Sequence, residues 1–421
     1  MERMTRRDFL RFTAAGGAAL GLGEQARAQQ GVGGPDKFDL VIKGGELIDP
    51  SQKLRAQRDV AIRNAVVAAI EPDIATTRAA QTLDASGKIV IPGIVDLHAH
   101  VFALGSAIGI PADELAPYTA TTTYVSAGDA GANNFGSFKH HIIAQARSRI
   151  YAFLHISSIG LAGFPVGEMK DMDFANVDLA AKILAENTDV LLGIKVRESL
   201  NVVGNNGIEP LRRALAAIER SGTKTRLMCH IGDAPGELSQ LLDLLRPGDI
   251  LTHSYSGAGN NTVQQGKVVA AALAAKRRGV VIDVGHGGGS FDYTVAEPAI
   301  EQGLTPDTIS SDIHAYSGNT PGMPFMPWVM SKFLNMGFTL EQVVTMSTAN
   351  PAKIIGKVPK LGTLQIGAPA DVSILELVEQ SVEFIDTRNN KRQGKRYLKP
   401  VQTVRAGRPF GRPFPSPFVY P

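Results

Sequence analysis

The sequence predicts an α/β fold, in which a (β/α)8 barrel of the TIM type carries a small β-sandwich domain built from both ends of the chain. Eight apolar runs alternate with helix-like stretches through the middle of the sequence, and eight is the strand count of a closed parallel barrel. Short β-like segments occur before and after that region. The 421 residues leave room for two or three domains, or for one large barrel with an appendage.

The β-domain is predicted over residues 36–92 and 355–411. Its β-like segments are residues 38–49, 59–63, 66–70 and 89–91 near the start, and residues 362–377 and 401–405 near the end. The first segment alternates around Gly44 and Gly45. We interpret the two groups of segments as one domain assembled from both ends of the chain.

The barrel is predicted over residues 93–354. Its eight apolar runs are residues 94–100, 121–128, 150–157, 190–198, 226–232, 250–256, 280–286 and 309–314. An open, doubly wound sheet is the alternative arrangement for such runs. However, the Gly-x-Gly-x-x-Gly fingerprint of a dinucleotide-binding sheet follows none of them.

The first 28 residues resemble a bacterial twin-arginine export signal. Arg6 and Arg7 precede a weakly apolar stretch, residues 12–23, and a small-x-small cleavage site follows at residues 26–28. A basic amphipathic helix or a membrane anchor is the alternative, but twelve residues are too few to span about 30 Å of hydrocarbon. We therefore expect the twin-arginine machinery to export the protein to the periplasm or beyond the cell.

Composition excludes several classes of protein. The chain is 44% hydrophobic and 20% charged, with a net charge of +3, which is typical of a globular protein without a stable membrane insertion or a nucleic-acid partner. Its single cysteine, Cys229, excludes an internal disulfide framework and a multi-cysteine metal cage. Whether the protein forms a homo-oligomer is left open by these features.

Polar residues end several of the apolar runs, where a barrel has its catalytic mouth. They are His98, His100, Lys195, Arg197, His230, His253, His286 and Asp312. His98 and His100 are two residues apart in a predicted strand, so their side chains leave the same face. A lone His-x-His pair is a weak signal, but the other strand ends strengthen it. Imidazole and carboxylate ligands suit zinc, manganese or iron.

Lys195 lies within an apolar strand, where a lysine is costly to bury as a cation. Burial lowers the pKa of a lysine and favours the neutral amine. A neutral lysine beside cations can take up carbon dioxide to form a carbamate, an anion with two oxygens that can bridge two metal ions. The alternative is a lysine that extends to the barrel rim or pairs with a carboxylate.

These motifs together resemble the amidohydrolase superfamily with a carboxylated lysine, and more narrowly its dihydroorotase-like amidohydrolase/deacetylase branch. The matching motifs are Val95-Asp96-Leu97-His98-Ala99-His100, Ile194-Lys195-Val196-Arg197, Cys229-His230, Thr252-His253-Ser254-Tyr255-Ser256-Gly257 and Ser311-Asp312. Residues 347–353 and the glycines that follow resemble the return into the small β-domain. The resemblance covers roughly residues 38–411.

The resemblance implies a binuclear metal-dependent hydrolase with two divalent ions, expected to be zinc. In this reading His98, His100 and Asp312 bind one ion, His230 and His253 bind the other, and carboxylated Lys195 bridges them. A hydroxide is expected between the ions, with Asp312 as general base. The expected reaction is hydrolysis of an amide or ester, of the deacylase or deacetylase type, on a small carboxylate-bearing substrate.

Three further residues are candidates for substrate binding. Arg197 shares a strand face with Lys195, and its planar fork fits a carboxylate, although a salt bridge between strands is an equal alternative. His286 ends a run and could donate a hydrogen bond, or it could be a satisfied rim histidine. Tyr255 could shape the pocket or simply pack against its neighbours.

Two other functions compete with this one. The first is a cyclic amidase of the dihydroorotase type, against which the predicted export weighs. The second is a catalytically silent barrel that serves as a scaffold, against which the presence of all six ligand positions weighs. A serine hydrolase would need a Gly-x-Ser-x-Gly elbow, and a zincin would need His-Glu-x-x-His; the sequence has neither.

Overall fold

The strands of the computed structural model form two principal sheets. The structure describes residues 37–356 and 361–413, so the predicted export signal lies outside the described residues. The strands are β1 Phe38–Asp49, β2 Leu54–Arg63, β3 Val66–Glu71, β4 Ala79–Asp84, β5 Ile89–Pro92, β6 Ile94–Ala99, β7 Thr121–Gly131, β8 Arg149–His155, β9 Leu191–Glu198, β10 Arg226–Ile231, β11 Ile250–Thr252, β12 Val263–Gln264, β13 Lys267–Val268, β14 Val281–Ile282, β15 Val372–Ile385, β16 Lys391–Arg405 and β17 Arg408–Pro409.

Helices separate most of the central strands, as the alternating pattern predicts. They are α1 Ala112–Thr119, α2 Phe135–Phe138, α3 Val177–Glu186, α4 Leu200–Val203, α5 Glu209–Ser221, α6 Leu238–Leu244, α7 Ala270–Arg278, α8 Tyr293–Glu301, α9 Met326–Asn335, α10 Leu340–Ser347 and α11 Ala349–Ile354. Within the described ranges, no helix has both the length and the apolar character that crossing a membrane requires.

Helix α5 illustrates how the sequence sets these elements. Leu211, Ala214 and Ile218 recur at helical spacing and are buried, so one face of the helix packs on the parallel sheet. Pro210 occupies the first turn, where its missing N–H costs nothing, and Gly222 ends the helix in the left-handed conformation.

The central sheet has seven parallel strands in the order β14, β11, β10, β9, β8, β7 and β6. Seven of the eight predicted runs therefore contain a regular strand. The eighth run, residues 309–314, contains no regular strand: Ile313 forms an isolated parallel bridge to Ala99, and Thr308, just before the run, forms one to Asp283. Asp312 interrupts it with a left-handed backbone (φ 48°), which is incompatible with extended pairing. The segment nevertheless contacts both edges of the sheet.

The second sheet is mixed and joins both ends of the described chain. β1 pairs with β2 antiparallel and with β4 and β5 parallel, and β5 pairs with β15. Its own apolar cluster includes Leu40, Ile62, Val90, Ile374 and Val404. All eight strands belong to one hydrogen-bonded sheet, so a division into two layers of a sandwich stays a prediction, as do the domain boundaries.

The hairpin β15–β16 is much longer than the sequence pattern indicates, and its tip reaches the segment that follows β14 of the parallel sheet. Asp386 accepts a hydrogen bond from the backbone N–H of Tyr293 at 2.9 Å. Thr387 donates its hydroxyl to the carbonyl of Phe291 at 2.6 Å. The tip therefore supports the loop that follows β14.

Candidate active site

Six predicted ligands converge at the carboxyl ends of the parallel strands. His98 lies at the end of β6, Lys195 in β9 and His230 in β10, while His100 and His253 lie just beyond the ends of β6 and β11. Asp312 lies in the eighth run, which forms isolated bridges only. They line a cavity of about 290 Å³. The six residues are His98, His100, Lys195, His230, His253 and Asp312.

Asp312 lies between His98 and His100. Its Oδ1 is 3.1 Å from Nε2 of His98 and 3.0 Å from Nε2 of His100. One potential ligand atom from each of His98, His253 and Asp312 lies within 4.8 Å of the others. The rings of His230 and His253 are 4.2 Å apart between centroids, so the second pair of histidines adjoins the first group.

The Nδ1 atom of each of three histidines is within hydrogen-bond distance of a protein oxygen atom. Nδ1 of His98 is 2.7 Å from the hydroxyl of Thr252, and Nδ1 of His253 is 2.6 Å from the carbonyl of Gly285. Nδ1 of His100 is 2.9 Å from Oδ1 of Asp129. Such contacts fix the ring and leave Nε2 available to a ligand.

Burial keeps three of these imidazoles neutral. Burial lowers the pKa of His98 and of His230 well below the usual histidine value, and that of His253 to about 4. Burial would also lower the pKa of His100, but Asp129 and Asp312 raise it to about 9, so a cation that binds there must displace a proton. Neutral imidazoles and a carboxylate fit a divalent metal ion.

Lys195 is buried beside the histidines. Its Nζ lies 3.4 Å from Nε2 of His98, and no carboxylate of the described residues is within ion-pair distance of it. Burial lowers the pKa of Lys195 to about 7, so the neutral amine is accessible near neutral pH. Gly128 makes room for it, because a Cβ there would approach Cγ of Lys195 to 2.6 Å.

Two of the six residues have strained backbones. His253 and Asp312 both adopt left-handed conformations, with φ of 63° and 48°, which are rare for residues other than glycine. Such strain costs free energy and is concentrated at functional sites.

Arg197 lines the cavity and is also ion-paired. Its Nη1 donates to both oxygens of Glu168, a buried residue that the sequence did not single out. His155 contacts the same carboxylate through Nε2 at 3.1 Å. Within the described chain, Nε and Nη2 of Arg197 have no acceptor. Arg197 therefore lies in the pocket wall and also forms a salt bridge, but to a loop residue rather than between strands as the alternative expected.

The structure does not support the substrate contacts expected of His286 and Tyr255. Nδ1 of His286 is 2.8 Å from the carbonyl of Gly287, and its Nε2 is 2.8 Å from Nζ of buried Lys332. The hydroxyl of Tyr255 donates to the carbonyl of Leu304 at 2.8 Å. Both side chains are fully buried behind the cavity wall, and their polar atoms are used within the protein.

Several residues that contact the predicted site residues, or line the cavity with them, were not singled out from the sequence. Asp129 lies one residue beyond a predicted run, and that position was an available signal. Glu168 lies in a loop and Lys332 in α9, where no strand end marked them. Residues 288–290, from the glycine-rich loop, form part of the cavity wall.

Comparison with known proteins identifies the family. The chain is 35% identical over 342 residues to a deacetylase from Agrobacterium fabrum, covering 80% of this chain and 83% of that protein. The chain belongs to the amidohydrolase family. An amidohydrolase family model matches residues 290–409, and a deacetylase from Enterococcus faecalis is 31% identical over 88% of this chain and 98% of its own.

Solved structures show the same relationship for this amidohydrolase. A crystal structure described as an adenine deaminase superposes with a TM-score of 0.81 at 30% identity, covering 89% of this chain and all of that one. A dihydroorotase superposes with a TM-score of 0.81 at 31% identity, covering 88% and 97%. The protein is therefore a hydrolase with an amidohydrolase-type fold, rather than a silent scaffold. Amidohydrolases typically use metal ions, and the His98, His253 and Asp312 cluster could hold one.

Proposed function

We propose that this amidohydrolase is a binuclear metal-dependent hydrolase that removes an acyl group, in the manner of a deacetylase, from a small carboxylate-bearing amide or ester. The convergence of five ligand side chains and one buried lysine on a single cavity carries the proposal. The deacetylase relatives, which align over most of this chain, support the type of reaction.

The proposed metal site follows from the donor set. His98, His100 and Asp312 would hold one ion, His230 and His253 the other, and Lys195 as a carbamate formed with carbon dioxide would bridge them. Zinc suits these ligands. When bound, two divalent ions supply a nucleophile from water at neutral pH and polarise the scissile carbonyl.

Asp312 is proposed to move the proton. Burial would raise the pKa of Asp312, but His98, His100 and His253 hold it well below its usual value, so the carboxylate is ionised and can accept a proton from the attacking water. The same oxygen can then return the proton to the leaving group.

Arg197 is proposed to bind the substrate carboxylate. Its Nη1 is held by Glu168, while Nε and Nη2 remain available at the cavity wall. A fixed guanidinium loses little freedom when it binds a planar anion.

We further propose that the seven-stranded sheet closes into the (β/α)8 barrel through residues 308–313. The parallel bridges to β6 and toward β14 support this. The amide N–H of Asp312 also donates to the carbonyl of His98 at 2.6 Å, and that of Gly287 to the carbonyl of Ser311 at 2.9 Å.

The decisive experiment combines metal analysis with a substrate screen. We expect about two divalent ions per chain and activity on N-acyl amino acids or acylated hydroxy acids. One ion at full activity would contradict the binuclear site. Activity confined to cyclic imides would favour the second candidate, a cyclic amidase, which the likeness to a dihydroorotase structure supports. Adenine belongs in the screen because of the adenine deaminase structure.

Export by the twin-arginine machinery remains our proposal for residues 1–28. Arg6→Lys together with Arg7→Lys should retain the precursor in the cytoplasm while leaving its hydrolase activity intact, because the machinery reads the arginine pair. Fractionation of expressing cells measures the distribution. Unchanged recovery in the periplasm would exclude this route.

A further inference from the structure

A second cavity lies at the opposite end of the parallel sheet. It has a volume of about 240 Å³ and lies between the β16–β17 turn and the loop before β8. Because β8 begins at Arg149, this cavity is at the amino ends of the strands, and it shares no lining residue with the active site. Arg147, Arg405 and Arg408 line it together with three alanines and Phe410.

The guanidinium of Arg405 lacks a partner. Its Nε is buried without a hydrogen bond, and within the described ranges no acceptor contacts its other nitrogens. Nε of the neighbouring Arg149 is also buried and unpaired. Burial, followed by the charge of Arg149, lowers the pKa of Arg405. A half-buried guanidinium with no paired carboxylate and a buried, unsatisfied N–H is costly, and proteins seldom leave such a group without a partner.

The two nearby carboxylates are already used. Oδ1 of Asp371 accepts from the amide of Ala406 at 2.8 Å, and its Oδ2 from Arg149 at 3.1 Å. Asp113 accepts from the amides of Ser148 and Arg147, at 2.7 and 2.8 Å. These two anions therefore leave the arginine group with an excess of positive charge.

We propose that this cavity binds a phosphate group, either as the free ion or as the monoester of a small molecule. Guanidinium groups match phosphate oxygens in pairs. No acidic side chain lines the cavity, and its alanines leave room for the ligand. Arg147 belongs to the loop before β8, while Arg405 and Arg408 belong to the mixed sheet. A bound phosphate therefore joins the two sheets.

The test uses the full-length, metal-loaded protein in chloride buffers of matched ionic strength. Titration calorimetry should give saturable binding of about one inorganic phosphate per chain, and the thermal unfolding midpoint should rise with phosphate. Arg405→Met should weaken phosphate binding about tenfold or more, yet raise the unfolding midpoint without phosphate, because it removes a half-buried, unpaired cation. Arg58→Met, at a half-buried position on β2 of the same sheet that lines neither cavity, is the control and should bind normally.

Three outcomes would overturn the proposal. The first is that the wild type shows no saturable phosphate binding. The second is that Arg405→Met binds phosphate with unchanged affinity. The third is that phosphate binding persists in that variant and competes with substrate, which would place the phosphate in the active site. If Arg405→Met does not fold, Arg408→Gln provides the same comparison, because Arg408 is exposed and also lines the cavity. Glycerol phosphate separates the sources: tighter binding than phosphate supports a monoester, and weaker binding supports the free ion.

Discussion

Both carboxylate oxygens of Glu168 lie 3.1 Å from Nη1 of Arg197. Burial would raise the pKa of Glu168, but Arg197 and His155 lower it to about 2, so the glutamate is ionised at all ordinary pH values. The pair holds the arginine against the cavity wall. Substitutions of the two partners therefore test whether Arg197 binds substrate or only stabilises the fold.

Arg197→Met should raise KM for carboxylate substrates about tenfold or more while sparing neutral analogues, because it removes a charge-assisted contact and keeps the apolar stem. Glu168→Gln should raise the same KM by less, since the arginine remains but is held less firmly. Steady-state kinetics on matched charged and neutral substrates measure both effects. A purely structural pair would behave differently, lowering the unfolding temperature and slowing every substrate alike.

Lys195→Ala should lose bound metal and turnover together, because the proposed bridge would be absent. Short carboxylic acids should restore part of the activity by supplying two oxygens in its place. Elemental analysis and kinetics with and without added acetate or propionate provide the measurement. Lys170→Ala, at an exposed lysine, is the matched control. Normal metal content and rate in Lys195→Ala would rule out the carbamate.

Asp312→Asn separates proton transfer from metal binding. The amide keeps an oxygen that can ligate a metal but does not accept a proton, so kcat should fall roughly 100-fold or more while substantial metal remains. Metal content and kcat should be measured on the same preparation. A small loss of kcat would show that another group acts as the base.

Glu198 predicts a pH dependence of stability. Burial raises its pKa from 4.5 to about 8, against a smaller opposing effect of the Leu211 amide. The folded protein therefore holds a proton that the unfolded chain releases above about pH 4.5. Its contribution to stability should be full below that pH and be lost as the pH rises to about 8. The measurement is the unfolding temperature of wild type and Glu198→Gln from pH 5 to 8.5, and the wild type should lose more. Parallel curves would contradict the raised pKa.

The arrangement of strands was predictable because apolar runs and parallel order place strand ends together. His98, Lys195 and His230 meet for that reason. Partners supplied by loops and helices were not predictable in the same way, since no periodicity links Glu168 to Arg197. The partner of His286 was not predictable either: Lys332 lies 46 residues away on a helix, and a strand-end position does not reveal which atoms are already bonded.

Lys332 also connects the end of β15 to His286, which lies beside the cavity wall. Its Nζ donates to the carbonyl of Ile385 and to that of Gly322, each at 2.7 Å, besides contacting His286. His286 adjoins the residues that form one wall of the cavity, 288–290.

Because Lys332 contacts Ile385, one wall of the cavity depends on a segment that is synthesised after all six converging residues. All six converging residues precede position 313 and leave the ribosome well before the β15–β16 hairpin. A nascent chain that stops short of residue 385 therefore contains every converging side chain but lacks the support for that wall. Synthesis of the β15–β16 hairpin, rather than the appearance of the final histidine or aspartate, is therefore the step that completes this wall of the cavity.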